Sequence, residues 1–411
     1  MVETRVRGAA LLALAGVVGG GFTGRWLLDT ASEPLAPVLT ALHAHADPVM
    51  PARAPSRSVV MVVLDGLSRS RFHALLDRGA FGGSPCWVAE VDVGSPSLSR
   101  PVYHALLTGV SQRVAGVGNN AHRGAARADT LAQRARDAGG SVAWFLQTVP
   151  WFHDLGGATD DTVVVGRNFD RDFLNAQRRG VAFAVLHLTV IDDAGHAHGA
   201  ASERYASAAD ECAQTVRTLR ARSGSEGVVW FVGADHGHLA RGGHGGPEPE
   251  VTRVTWAAFD PSWREPVTRV PGVVPVESIA PTFARVMGVA PPRHALGAAL
   301  PFPGTDSSRD AVALAARRAA VRDALSRTVA RNRAAGLARV GLALTVAAIF
   351  AWRRGRLRAG LWSLVVVAAC ALALVAANWP VVSLSAIVTH ARFLGRSVAG
   401  MVLASLAAMA L

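Results

Sequence analysis

Apolar positions along this chain fall in short blocks that end abruptly in charged side chains. Ser58–Leu64 is a β-branched apolar run that closes on Asp65, the pattern of a buried parallel strand delivering a carboxylate at its end. Residues 182–190 run in the same way into Asp192-Asp193-Ala194-Gly195-His196, and Val228–Gly233 runs into Asp235-His236-Gly237-His238. Val142–Leu146 supplies a fourth strand-like block, and stretches near 129–138, 202–220 and 277–287 carry helical patterns. This alternation predicts an α/β domain with a mainly parallel sheet and helices on both faces. In such sheets, working side chains gather at the carboxyl ends of the strands.

The outer parts of the chain read differently. Residues 8–24 carry no charge and follow Arg5 and Arg7, which predicts a signal peptide or signal anchor with a cytoplasmic N-terminus. Residues 334–352 are apolar except for Arg339, and 359–389 hold no charged side chain, so each predicts a transmembrane helix. Asn378-Trp379-Pro380 marks a break within the second stretch. The basic run at 353–358 belongs on the cytoplasmic side, as do Arg5 and Arg7, which puts residues 30–330 outside the cytoplasm. The expected organisation is an anchor over 1–30, a catalytic domain over 50–302, an Ala/Arg-rich helical linker over 303–333 and a membrane region over 334–411. The expectation is thus an integral membrane protein with an extracytoplasmic catalytic domain.

Half of the 411 residues are hydrophobic, in keeping with those spans, and the formal net charge is +12. The sequence contains no lysine, and its arginines are scattered without interleaved aromatic residues. That distribution argues against nucleic acid and for a solvated surface and anionic lipid headgroups. Cys86, Cys212 and Cys370 are few and unspaced, and their placement supports no disulfide framework.

The chemistry lies in what ends the apolar blocks. Zinc takes carboxylate oxygen and imidazole nitrogen alike at about 2.0–2.2 Å. Asp192 and His196 are placed to reach one ion across a tight turn, with Gly195 allowing close approach. Asp193 is the rival carboxylate. Asp235 and His236 are adjacent, so they share an ion only if the chain bends at Gly237. Ser99 begins the run Ser99-Arg100-Pro101-Val102-Tyr103-His104, where Pro101 suits a helix start. A hydroxyl there faces free N–H groups and the positive end of the helix dipole, a setting that binds a phosphoryl group. Metal coordination would make it a nucleophile without a histidine base. Asp65, Ser99, Asp192, His196, Asp235, His236 and His244 together suit two divalent ions, zinc ahead of manganese or magnesium. His198 and His238 are read as standing behind the ligands or on the substrate side. His73, His122 and His187 are read as ordinary surface or core histidines.

Four separated motifs carry a family resemblance. The run from Ser99 to Thr108-Gly109 resembles the nucleophile motif of the alkaline phosphatase superfamily, nearest its nucleotide pyrophosphatase/phosphodiesterase branch. Asp192 to His196, Asp235-His236-Gly237 and His244-Gly245-Gly246 also resemble the lumenal domain of GPI ethanolamine phosphate transferases. The resemblance covers residues 58–300. It implies one ion on Asp192, His196 and His244, and another on Asp65, Ser99, Asp235 and His236. It also implies that Asn120, or failing it Asn119, holds a phosphate oxygen.

Tyr103 replaces the arginine that sulfatases of the superfamily need for formylglycine formation, which disfavours sulfatase activity. The function so implied is a membrane-anchored phosphodiesterase or phosphatase acting through a Ser99 phosphoenzyme on a phosphoester substrate, which the membrane setting would allow to be lipid-linked. The alternatives are a phosphoethanolamine-type transferase and a non-catalytic binding module that keeps the fold.

Overall fold

The computed structural model describes residues 36–48, 53–156, 161–166, 168–224, 227–305, 313–328, 330 and 331. The chain divides into two compact units, one of them Pro34–Leu325 with 383–388, the other residues 1–33, 326–382 and 389–411. The second lies almost wholly outside the described residues, as do the predicted spans at 8–24, 334–352 and 359–389. No helix among the described residues is long and apolar enough to cross a membrane.

The first unit is built on one eight-stranded sheet. Its strands are β1 (Ser58–Leu64), β2 (Trp87–Asp92), β3 (Val142–Leu146), β4 (Thr162–Val165), β5 (Phe183–Leu188), β6 (Val228–Gly233), β7 (Arg253–Phe259) and β8 (Thr268–Pro275). They lie in the order β4-β3-β5-β1-β6-β7-β2-β8. From β4 to β6 every pairing is parallel, with Val62 of β1 between Leu186 and Val232. β7 then runs antiparallel to both β6 and β2, and β8 pairs parallel with β2.

β1 is central, and Val59 to Leu64 are all buried. That is why the strand is apolar at every position instead of at alternate ones. Each such side chain removed from water contributes roughly 1.5–3 kcal/mol. Because β1, β5 and β6 run side by side in one direction, Asp65, Asp192 and Asp235 emerge at the same edge of the sheet.

Two helices complete that edge. Ser99–Thr108 is buried along its whole length and stops at Gly109, whose φ of 68° is left-handed. A Cβ at Gly109 would lie 2.7 Å from Ala295 Cβ and 2.9 Å from the Glu277 carbonyl, so both the conformation and the space require glycine. Glu203–Arg222 starts at Ser202, which accepts the Tyr205 N–H. Tyr205 then donates to the Gly66 carbonyl and accepts the Ser68 N–H, pinning the turn that follows Asp65.

A smaller core joins the Ala36–Ala44 helix to Val110, Val114 and Leu296. Val321 and Ala324, from the stretch predicted as a linker, are buried in it. Buried Arg317 donates to the carbonyls of His45 and Ala295 and pairs with Asp47. Cys86 and Cys212 are buried free thiols.

Candidate metal centre

All seven predicted ligands converge at the carboxyl edge of the sheet. His236 Nε2 lies 3.3 Å from Asp65 Oδ1, 3.2 Å from Asp235 Oδ2 and 3.2 Å from Ser99 Oγ. Ligands about 2.0–2.1 Å from a tetrahedral zinc are separated by about 3.3 Å, so these separations match the edges of one coordination tetrahedron. Asp65 Oδ1 and Asp235 Oδ2 are buried and accept no hydrogen bond, whereas their sister oxygens are engaged. Asp235 Oδ1 accepts the Gly66 N–H, and Asp65 Oδ2 meets the Tyr103 hydroxyl and His187 Nε2. Each carboxylate thus has one oxygen held by the protein and one left for a cation, and the donor set fits a divalent ion.

The second group lies beside the first, with the His236 and His244 rings stacked at 3.7 Å between centroids. His196 Nε2 is 3.1 Å from His244 Nε2 and 3.4 Å from Asp192 Oδ2. These are again tetrahedral edges. Asp192, His236, His238 and His244 also form a close group of their own, and Asp65, Asp235 and His236 another. Asp192 and His196 are not joined by the expected tight turn. They stand four apart on one face of the helix Val190–His198, because the chain leaves β5 directly into a helix.

Backbone contacts orient two of the rings. His244 Nδ1 lies 3.0 Å from the Ser97 carbonyl, and His236 Nδ1 lies 3.2 Å from that of Gly237. A carbonyl can only accept, so each Nδ1 carries the proton and each Nε2 presents a lone pair to the site. Gly237 is therefore part of the bend that lets Asp235 and His236 face one point. Ser97 accepts the Gly245 N–H and donates to the Gly246 carbonyl, fastening the His244 loop to the start of the Ser99 helix.

Burial decides the charges. It is the leading cause that pushes Asp235 well above the usual carboxylate range, with the nearby Asp65 charge adding to it. Burial likewise holds His236 below its ordinary value and His244 well below, keeping both rings neutral and able to bind metal. At Asp192 burial acts upward, but hydrogen bonds from His196 and His238 outweigh it and hold the carboxyl well below the usual range. His196 is raised, chiefly by its bond to Asp192.

Asn120 also reaches the site, where its Oδ1 accepts the Arg100 N–H at 3.0 Å, one residue from Ser99. Arg100 is buried, pairs with Asp154 at 3.1 Å and lies over the Trp151 ring. His187, expected to be an ordinary histidine, is a core residue bonded to Asp65, and Tyr103 is its partner there. The signal for His187 was a lone imidazole one residue before the end of an otherwise apolar strand. For Tyr103 it was the four-residue spacing from Ser99, which shares a helix face. Asp193, the rival carboxylate, bears on the group through its charge, which helps raise His196.

No family model matches the chain, and no curated protein matches it. Solved structures similar to it include murine ectonucleotide pyrophosphatase/phosphodiesterase 5, at 11% identity over 57% of this chain and 96% of that one, TM-score 0.47. An alkaline phosphatase superfamily protein from Vibrio parahaemolyticus is similar at 14% identity over 64% and 78%, TM-score 0.44. A lipoteichoic acid synthase from Listeria monocytogenes is similar at 11% identity over 68% and 92%, TM-score 0.42. Likeness at that level carries no argument about activity.

Proposed function

We propose that the chain is a membrane-anchored, metal-dependent phosphoester hydrolase that works through a phosphorylated Ser99. The observation that carries this reading is the convergence of Ser99 Oγ and two buried, unengaged carboxylate oxygens on His236 Nε2, at separations of 3.2–3.3 Å. Asp65, Ser99, Asp235 and His236 would hold one divalent ion, and Asp192, His196 and His244 the other. Bound there, the ions would favour the serine alkoxide and offset charge on the reacting phosphoryl group.

The chain's own residues do the rest. Ser99, at the first turn of its helix, presents Oγ toward an incoming phosphorus, and the helix dipole favours the phosphoryl group there. Asn120 is held beside it, where its amide can meet a phosphate oxygen. Attack by Oγ forms the Ser99 O–P bond and breaks the ester O–P bond, and the serine proton ends on the departing alcohol. Water then attacks the phosphoserine, the Ser99 O–P bond breaks, and the serine regains a proton as the phosphate leaves.

The uncharged stretches at 8–24 and 359–389 support an extracytoplasmic domain tethered to a bilayer. The same tether favours a second reading, transfer of the phosphoryl group to a lipid or glycan acceptor in place of water. The deciding experiment is turnover of p-nitrophenyl phosphate and bis-p-nitrophenyl phosphate by detergent-solubilised protein, with and without chelator. Chelator-sensitive release from either ester is expected, and the preferred ester separates phosphatase from phosphodiesterase. Release that chelator leaves untouched would refute the reading. Silence on both esters with two metals bound would move it to the transferase.

A further inference from the structure

His238 stands among the ligands, with its Nε2 2.8 Å from Asp192 Oδ1. By residue type and position it is a natural candidate for a further nitrogen ligand. Its other nitrogen decides otherwise. His238 Nδ1 accepts the Gly243 N–H at 3.2 Å. A ring nitrogen that accepts an N–H has no proton, so the neutral ring carries its proton on Nε2 and donates it to Asp192. That is the reverse of His236 and His244, whose Nδ1 atoms face carbonyls and leave Nε2 free. For His238 Nε2 to bind metal, the proton would move to Nδ1 and point at the Gly243 N–H, two donors facing each other in a buried place.

We propose that His238 is a positioning residue that locks the Asp192 carboxylate for metal binding and is not itself a ligand. The inference rests on the reading of Asp192 as a ligand. With Oδ1 receiving the His238 proton, Oδ2 is the oxygen turned toward His196, 3.4 Å away. The ring is wedged in place: a Cβ at Gly195 would come within 2.5–2.7 Å of three of its atoms. Gly195 therefore serves the motif by making room for His238, which arrives from the loop after β6.

The test is zinc binding to the full chain in detergent, titrated against a chelating indicator, for wild type, His238→Ala, His238→Gln and His238→Asn. Wild type and His238→Ala should both reach two ions per chain, with the weaker affinity in His238→Ala about 10–100-fold lower. Glutamine places an N–H where Nε2 was, so His238→Gln should recover most of that loss. Asparagine is too short to reach Asp192 and should recover little. His238→Gln also keeps the side-chain volume, so the comparison stays readable should His238→Ala fail to fold. A fall to one ion in His238→Gln would make His238 a ligand and overturn the proposal, as would affinities unchanged in all three variants. Wild-type protein that binds no zinc would instead sink the metal-centre reading itself.

Discussion

His236 Nε2 and Ser99 Oγ lie 3.2 Å apart, and the same nitrogen is within 3.3 Å of carboxylate oxygens from Asp65 and Asp235. An unprotonated imidazole nitrogen and two carboxylate oxygens repel one another unless a cation or a proton sits between them. In the metal-free protein that proton falls to Asp235, whose carboxyl burial pushes well above the usual range, and not to His236, which burial holds below its ordinary pKa and whose Nδ1 already donates to Gly237. A divalent ion would take the place of that proton and satisfy all three acceptors at once, with the serine hydroxyl near enough to join the same coordination shell.

Ser99→Ala removes one corner of that group and leaves Asp65, Asp235 and His236 in place. The variant should keep close to two ions per chain and a wild-type circular dichroism spectrum while losing turnover at least about a thousandfold. Elemental analysis beside steady-state rates reads both. Turnover near that of wild type would remove Ser99 from the nucleophile's role.

Asp235 gives the metal-free protein a pH dependence of definite sign. Its folded-state pKa is raised, so folding favours the protonated form, and this contribution is lost as pH rises from about 4 through the folded value. His236 and His244 act oppositely: their folded values are lowered, so their contribution is lost as pH falls below about 6.5. Comparison with Asp235→Asn isolates the carboxylate. In chelator at pH 7 the variant should be more stable than wild type by about 1–3 kcal/mol, because an amide folds without taking up a proton or burying a charge, and the gap should close toward pH 4. Urea unfolding across that range measures it. A gap that widened toward pH 4 would contradict the assignment.

What could be read from the chain beforehand follows from what burial does to sequence. β1, β5 and β6 are covered on both faces, so their composition is apolar throughout and their terminal carboxylates stand out. β8 alternates exposed and half-buried positions at the sheet edge, and β2 and β7 carry charged or polar ends, so neither pattern distinguishes a strand from a loop. Asp65, Asp192 and Asp235, with His196 and His236 close behind, were legible as candidate ligands because they follow such blocks, whereas Ser99 and His244 stood out only through the motifs around them. The partners of their supports were not: Tyr103 and His187 reach Asp65 from 38 and 122 residues away, and His238, read in the sequence as behind the ligands or on the substrate side, reaches Asp192 from 46. Those meetings depend on strand order, which local periodicity does not encode.

Tyr103 offers a test of that support. Its hydroxyl donates to Asp65 Oδ2, and burial, with Asp65 adding to it, pushes the phenol well above its usual pKa, so it remains a donor at any working pH. Tyr103→Phe should lower zinc affinity at the Asp65 ion about tenfold while keeping the stoichiometry, since His187 still holds Oδ2 at 2.8 Å. The loss should deepen in the double variant with His187→Ala. Competition titration with a chelating indicator measures both, and equal affinities in wild type and double variant would show that these bonds do not tune the site.

Arg317 tests whether residues 313–325 are a passive tether or part of the folded unit. Its guanidinium is buried and donates to the His45 carbonyl at 2.7 Å and the Ala295 carbonyl at 2.6 Å, besides pairing with Asp47. The Asp47 pair is partly exposed and adds little, since water screens it. The two carbonyls matter more, because Arg317→Ala would leave both without their donor and open a gap beside Val321 and Leu296. The variant should lose roughly 2–4 kcal/mol of stability, read as a lower urea midpoint. The carboxyl edge of the sheet, where the candidate ligands lie, uses none of these contacts, so turnover and zinc stoichiometry should hold below the midpoint. A midpoint equal to that of wild type would return this segment to the role of a tether, whereas loss of zinc at full folding would tie it to the metal centre.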